Sequence, residues 1–578
     1  MTISALLESK LRAALDGTEA KVSAATDPRF GDYQTNVAMI LAKAQRANPR
    51  QVAQQIIDKI DLGEMCEPPE IAGAGFINFR LKTAWLAQRF AELSTDEKLG
   101  VPAPEKPRKI VIDFSSPNVA KPMHVGHIRS TILGESLARI AEFIGHETVR
   151  DNHIGDWGKQ FGMLLVGWKI RVAETGIAPD SIEQLEQIYK GMNARLAEPA
   201  TAAQISDELV KLQNGDEENL GLWREMIRIS QKEFDSIYAR LAVRFDVTLG
   251  ESFYNPQLKS IVQELVTRGL ATESDGALCV FSDKTGKPED DPFLIKDKDG
   301  WRANPALVQK SDGTANYTTT DLATLQYRLA TWSPDEIVYV TDGRQQLHFR
   351  QFFATYRRWH PGITTKLAHV WFGSILGEDG KPFKTRSGDT VRLTDLLDEA
   401  EERALKLVVE KNPDLPDAER REIARIVGIG AVKYADLLPN RQSDYTFSWD
   451  KMLSFQGNTA PYLQYSYVRI RSIFRKLGSE FQTSDSPLQL TEPAELALAK
   501  KLLQFGESLP QVLEDYRPNV LANYLYELAS TFHSFFEACP VLKSEGATRA
   551  SRLALCDTTA RLLKQGLALL GIEVPERM

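Results

Sequence analysis

Two histidines set three apart around a glycine, His124-Val125-Gly126-His127, are the residues best suited to chemistry in this chain of 578. Such a pair can hydrogen-bond phosphate oxygens, form half of a zinc site, or simply begin a helix. Zinc needs a third ligand and usually a fourth position. No cysteine lies near, and His146 and His153 fall beyond the helix that follows. The phosphate reading is the better one, and Gly126, lacking a Cβ, lets a flat ligand approach the backbone.

Three other groupings carry chemistry. Tyr317 and Asp321 are four apart, on one face if helical. The loop Gly377 to Gly388 combines glycines with Lys381, Lys384 and Arg386, which suits a phosphate clamp and equally a solvated basic loop. Tyr462, Tyr465 and Tyr467 interleave with Arg469, Arg471, Arg475 and Lys476, as unstacked RNA bases and phosphates require. A packed helix with a basic stripe would read the same way.

The elements that must position these residues follow from periodicity. Ile110-Val111-Ile112 reads as a buried strand, and apolar residues then recur with helical spacing from Ile128 to Phe143. His124 and His127 therefore stand at a helix N-terminus, where free N–H groups and a positive partial charge favour phosphate. Glu147 to Arg150 is a second strand, completing a βαβ unit that predicts a Rossmann-like parallel sheet with ligands at the carboxyl ends of its strands. Glu336 to Val340 and His369 to Phe372 are further strands, whereas Lys284 to Lys298 reads as a solvated loop. From Leu393 onward only helical periodicity is expected.

The apolar and charged fractions, 43% and 26%, are those of globular proteins, and no run approaches the ~20 apolar residues of a membrane helix. Cys66, Cys279, Cys539 and Cys556 are scattered without C-x-x-C spacing, which suits a reducing cytoplasm rather than a disulfide framework or zinc ribbon. The net charge of −8 disfavours nucleic acid globally, but local patches decide binding.

The division expected is multidomain α/β. A small α/β unit spans 1–100, and the parallel-sheet core spans 108–170 and 300–395 around an insertion at 171–299. Helical regions follow at 396–445 and 446–578.

Longer strings carry a resemblance. D-F-S-S-P-N-V-A-K-P-M-H-V-G-H-I-R-S-T from Asp113 to Thr131, G-D-W-G-K-Q-F-G from Gly155, G-K-P-F-K-T-R-S-G from Gly380 and G-N-T-A-P-Y-L-Q-Y from Gly457 resemble the arginyl-tRNA synthetases, a class I family. The closing L-G-I-E-V-P-E-R-M matches as well. The resemblance implies an ATP-dependent arginine–tRNA ligase working through arginyl-adenylate, with Mg²⁺ accompanying ATP, no zinc, and tRNA(Arg), L-arginine and ATP as partners. Activation that waits for tRNA, a monomer and a cytoplasmic location go with it.

The resemblance also implies residue roles. His124, Gly126 and His127 would hold ATP, with Lys121, Lys381, Lys384 and Arg386 as contending cations, because Thr385 stands where most class I enzymes carry a second lysine. Asp321, Tyr317 and Asp113 would accept the guanidinium, Asn118 and Gln345 the α-amino end, and His348 would support that loop. Phe76 and Asn78 would read a D-loop base from the N-terminal unit. The C-terminal helices would form an anticodon-binding domain, with Tyr462, Tyr465, Arg471 and Met578 as contacts. Two alternatives stand beside this reading: a same-fold nucleotidylyltransferase without RNA, and an RNA-binding paralogue without catalysis.

Overall fold

The computed structural model describes residues 1–25, 27–383, 390–478 and 488–578. Its centre is a five-stranded sheet. The strands are β1 (Lys109–Asp113), β2 (Glu147–Ile154), β3 (Val247–Gly250), β4 (Glu336–Tyr339) and β5 (Lys366–His369). They lie in the order β5-β4-β1-β2-β3 and every neighbouring pair is parallel. Near-continuous apolar runs such as Ile110-Val111-Ile112 are what a strand covered on both faces requires, and these three residues are at most 4% exposed. The register sets Asp113 level with Asp151 on one side and Tyr339 on the other, all at the carboxyl edge.

Helix α1 (Val125–Ile144) returns the chain from β1 to β2 and ends at Gly145, whose φ of 116° is a left-handed stop. It lies so close to the β1 exit that a Cβ on Gly134 would fall 2.2 Å from Phe114. Helix α2 (Ile182–Ala194) belongs to the helical insertion, and α3 (Glu251–Thr267) leads away from β3. Helix α4 (Tyr317–Trp332) precedes β4. Helices α5 (Leu393–Lys411) and α6 (Asp417–Leu437) pack on each other and on α1, joining the sheet to the helical C-terminal domain, which includes α7 (Ala460–Leu477).

Four differences from the sequence expectations have local causes. Strand β3 lies inside the segment read as an insertion, so part of 171–299 belongs to the core sheet; at four residues with one exposed threonine it leaves little apolar signal. The strand expected at 369–372 sits at Lys366–His369, in register with β4. The stretch read as the loop Lys284 to Lys298 contains Leu294–Asp297, which pairs as a hairpin with Gly300–Ala303. Tyr445–Thr446, beyond Leu393, forms a short parallel pair with Ile375–Leu376.

The N-terminal unit is a four-stranded antiparallel sheet with helices, and it rests on the C-terminal domain. Glu507 accepts the backbone N–H of Ser4 at 2.8 Å and the hydroxyl of Tyr33 at 3.2 Å. Lys500 pairs with Asp32 at 2.6 Å, and Arg561 donates to the carbonyls of Ser94 and Asp96. The four cysteines are buried and free, and among the described residues no helix is long and apolar enough to cross a membrane.

Candidate active site

The chain leaves β1 through a constrained loop. Ser115 and Ser116 both have positive φ, 74° and 50°, which L-residues adopt only when surroundings enforce it. Those surroundings are polar contacts with small side chains. The Ser115 N–H donates to Ser130 Oγ at 2.9 Å, Ser115 Oγ lies 2.8 Å from the Tyr238 hydroxyl, and Ser116 Oγ donates to Asp113 at 3.1 Å.

The loop ends at His124, which caps α1. The Gly126 N–H donates to His124 Nδ1 at 3.0 Å, and the His124 N–H donates to His127 Nδ1 at 3.1 Å. An Nδ1 that accepts a backbone N–H carries no proton, so a neutral ring bears its hydrogen on Nε2. Burial lowers both imidazoles, His127 to about 3 with the neighbouring ring adding to the effect. Near neutral pH the turn therefore presents two neutral Nε2–H donors at a helix N-terminus. Gly126 has an additional reason to be glycine: a Cβ there would fall 2.7 Å from Cε1 of His124.

A second grouping, rich in acids, lies along the same edge of the sheet. Tyr317 opens α4 with 60% exposure, and its ring meets that of His348 edge-on at 4.7 Å. His348 Nε2 in turn lies 2.5 Å from Asp321 Oδ2, so the structure brings these three residues together. Glu251, first residue of α3, faces the same place. Burial and the charges of Asp156 and Asp321 push its carboxyl up to about 7. Asp156 is seated by Ser252 and by Gly250, where a Cβ would strike its carboxylate. A buried acid raised by two other acids is a place prepared for a cation.

Sequence reasoning missed Glu251 because it was counted with the insertion. The signal was there: Val247-Thr248-Leu249-Gly250-Glu251 has a short strand, a glycine and an acid, like the end of β2 at Ile154-Gly155-Asp156.

Asp113 is placed differently from its expected role. Its Oδ2 accepts from Arg328 at 2.7 Å, and the same guanidinium reaches Asp151 at 2.8 Å. Arg328 is fully buried and lies 5.2 Å from the centre of the Tyr339 ring. One acceptor face of Asp113 is thus committed within the protein, and Arg328, also missed from sequence, holds the carboxyl ends of β1 and β2 together. Asn118 is exposed, yet its side chain lies where a Cβ on Gly155 would be, 2.3 Å from Oδ1. Gln345 is exposed on a short 3₁₀ turn after β4.

Of the expected cations, Lys121 lies over the ring of Tyr189 at 4.8 Å. Lys381 is exposed in a tight turn anchored by Phe383 against Phe447, ring centres 4.6 Å apart. Lys384 and Arg386 lie outside the described residues. In the terminal domains, Phe76 is half-buried while Asn78 is only 4% exposed, so Phe76 presents most of the surface of that pair. Tyr465 is 44% exposed on α7, Tyr462 packs near Tyr526, and Arg471 lies 3.9 Å from Glu576. Met578 packs against the core of the C-terminal domain.

A parallel sheet whose first helix is capped by two histidines, with a helical domain after it, defines the class I synthetase architecture. The comparisons agree. Family models described as "tRNA synthetases class I (R), catalytic domain", "DALR anticodon binding domain" and "Arginyl tRNA synthetase N terminal domain" match residues 90–449, 463–578 and 1–81. Curated relatives named arginine–tRNA ligase include those of Chromobacterium violaceum and Laribacter hongkongensis, each 48% identical with both chains fully covered. The arginyl-tRNA synthetase structure from Plasmodium falciparum is 31% identical with a TM-score of 0.84, covering 100% of this chain and 99% of its own. That from Thermus thermophilus is 27% identical with the same TM-score, covering both chains fully. The chain belongs to the arginyl-tRNA synthetase family.

Proposed function

We propose that the chain ligates L-arginine to tRNA(Arg) at the expense of ATP, through an arginyl-adenylate. One observation supports this most: two histidines whose Nδ1 atoms are taken up by the helix cap, leaving Nε2 free to donate, share their sheet edge with a cluster of acids. The first suits triphosphate and the second a guanidinium, which carries five donors and no acceptor.

In the first step the arginine carboxylate attacks the α-phosphorus, and the bond to the bridging oxygen of pyrophosphate breaks. Little covalent work falls to the protein, so positioning and charge stabilisation carry catalysis. His124 and His127 donate to the phosphate oxygens, and Mg²⁺ arriving with ATP would offset part of the triphosphate charge. Lys121, Lys381, Lys384 and Arg386 supply positive charge around the leaving pyrophosphate. Asp321 and Glu251 hold the guanidinium while Tyr317 closes over it, and Asn118 and Gln345 hold the α-amino end. Asp113, held by Arg328, fixes the strand end from which Asn118 is presented. In the second step a ribose hydroxyl of the terminal tRNA nucleotide attacks the activated carbonyl and AMP leaves.

The N-terminal unit, through Phe76 and Asn78, and the helices bearing Tyr462, Tyr465, Arg471 and Met578 bind the tRNA. Activation depends on that tRNA. The enzyme works as a monomer, the state the family resemblance implies, in the cytoplasm, where its free cysteines suit a reducing compartment. The test is arginine-dependent exchange between ATP and pyrophosphate, with and without tRNA(Arg). Exchange that requires arginine is expected, and its absence under both conditions would refute the assignment.

A further inference from the structure

Arg392 stands opposite His124 in a pairing of two loop segments. Val125 N–H donates to Val391 at 3.0 Å and Leu393 N–H donates to Met123 at 2.9 Å, which makes His124 and Arg392 an antiparallel bridge flanked by its hydrogen bonds. In pairs of this kind the Cα atoms lie about 4.5 Å apart and both side chains project to one side. Arg392 is therefore tethered at the rim of the turn that presents the Nε2–H donors.

Its guanidinium is occupied elsewhere. Nη2 lies 2.7 Å from Glu186 and Nη1 3.6 Å from Glu183, both on α2. One turn along the same face, Tyr189 carries Lys121. Arg392 is 39% exposed, Glu183 45% and Glu186 20%, and Glu186 is shared with Lys190 at 2.7 Å; an ion pair whose cation is open to water is a weak constraint. A guanidinium matches two phosphate oxygens with two parallel N–H donors, which a lysine does not.

We propose that Arg392 is a further cation of the phosphate site, parked on Glu186 and Glu183 of α2 and transferred to the β- and γ-phosphate oxygens when ATP binds. It then stabilises the charge that gathers on pyrophosphate as the bond to the α-phosphorus breaks. Helix α2 is the competing partner. This rests on the reading of His124 and His127 as the ATP turn.

The experiment is steady-state ATP–pyrophosphate exchange by the full chain, with arginine and tRNA saturating and ATP varied. Arg392→Gln is expected to raise the ATP KM or lower kcat by about tenfold, the loss of a charge-assisted contact. Arg392→Lys, which keeps the charge, recovers part of it. Glu183→Gln combined with Glu186→Gln releases the guanidinium and shifts the ATP KM in the opposite direction, downward by several-fold. Were the contacts only a pin between α2 and the loop, the glutamine variants on both sides would break the same pin and change the kinetics in the same direction. That result, or unchanged kinetics in Arg392→Gln, overturns the proposal. An unaltered chain that gives no exchange overturns the underlying functional reading instead, and this proposal with it.

Discussion

The backbone N–H of His124 donates to Nδ1 of His127 at 3.1 Å, so one ring of the pair fixes the cap of the helix from which both rings project. The contact separates two jobs within one side chain. Nδ1 serves the fold, and Nε2 is left for the ligand.

His127→Asn places an acceptor near Nδ1 but has nothing at Nε2. It is expected to melt within a few degrees of the unaltered chain while losing about 10²–10³-fold in exchange rate. His127→Ala loses both functions and should melt measurably lower. The buried, neutral imidazole also sets a sign for acid stability. Its folded value of about 3 is below the unfolded one, so between about pH 6.5 and 3 the unfolded chain binds more protons. Stability from this group is complete above the unfolded value and declines as pH falls through that window. Calorimetric melting against pH should show a shallower acid decline in His127→Asn.

Gly126→Ala puts a methyl group where the His124 ring lies, 2.7 Å from Cε1. The ring must turn away, at a cost of about 1–3 kcal/mol. The expected outcome is a folded protein with a modestly lower melting point and an ATP KM raised by at least tenfold. An unaltered ATP KM would show that the His124 ring does not need its present position.

The Glu251 carboxyl, pushed up to about 7 by burial and by Asp156 and Asp321, must be ionised to hold a guanidinium. Binding arginine therefore releases a proton below that value. The arginine KM should fall by up to about tenfold per pH unit as pH rises toward 7, then level off. Glu251→Gln should flatten this dependence and raise the arginine KM. Asp321→Ala removes one of the two carboxylates proposed to hold the cation, an expected loss of about 3 kcal/mol in arginine use, with tRNA affinity retained in a binding assay.

Tyr465 offers an exposed ring on α7 beside arginines. Tyr465→Ala is expected to weaken tRNA binding by about 1–3 kcal/mol without altering its salt dependence. Arg471→Ala, by contrast, should reduce the slope of log affinity against log salt. Titrations at several salt concentrations distinguish the two effects.

The strands read at 110–112 and 147–150, which the structure extends to 109–113 and 147–154, the helix start at the two histidines and the shared face of Tyr317 and Asp321 are legible because each is local: periodicity and spacing within one stretch specify them. Glu251, Arg328 and Arg392 are not, since their meaning arises only when distant segments meet. Arg328 comes from α4 to two carboxylates on β1 and β2, and nothing in its own neighbourhood announces a buried charge. The short strand at 247–250 was hidden for another reason. At the edge of the sheet, a four-residue strand with only its last residue buried needs little apolar sequence.

The contacts of Glu507 with Ser4 and Tyr33, and of Lys500 with Asp32, fasten the beginning of the chain to its end. The segments proposed to touch different corners of one RNA thus share a single frame. A tRNA seated on one is already held at close effective concentration to the other, so its second contact adds little further loss of freedom. Cutting that link, for example with Glu507→Ala together with Lys500→Ala, would turn one preset span into two loosely joined grips. The RNA would then have to supply the alignment that the protein now holds in advance.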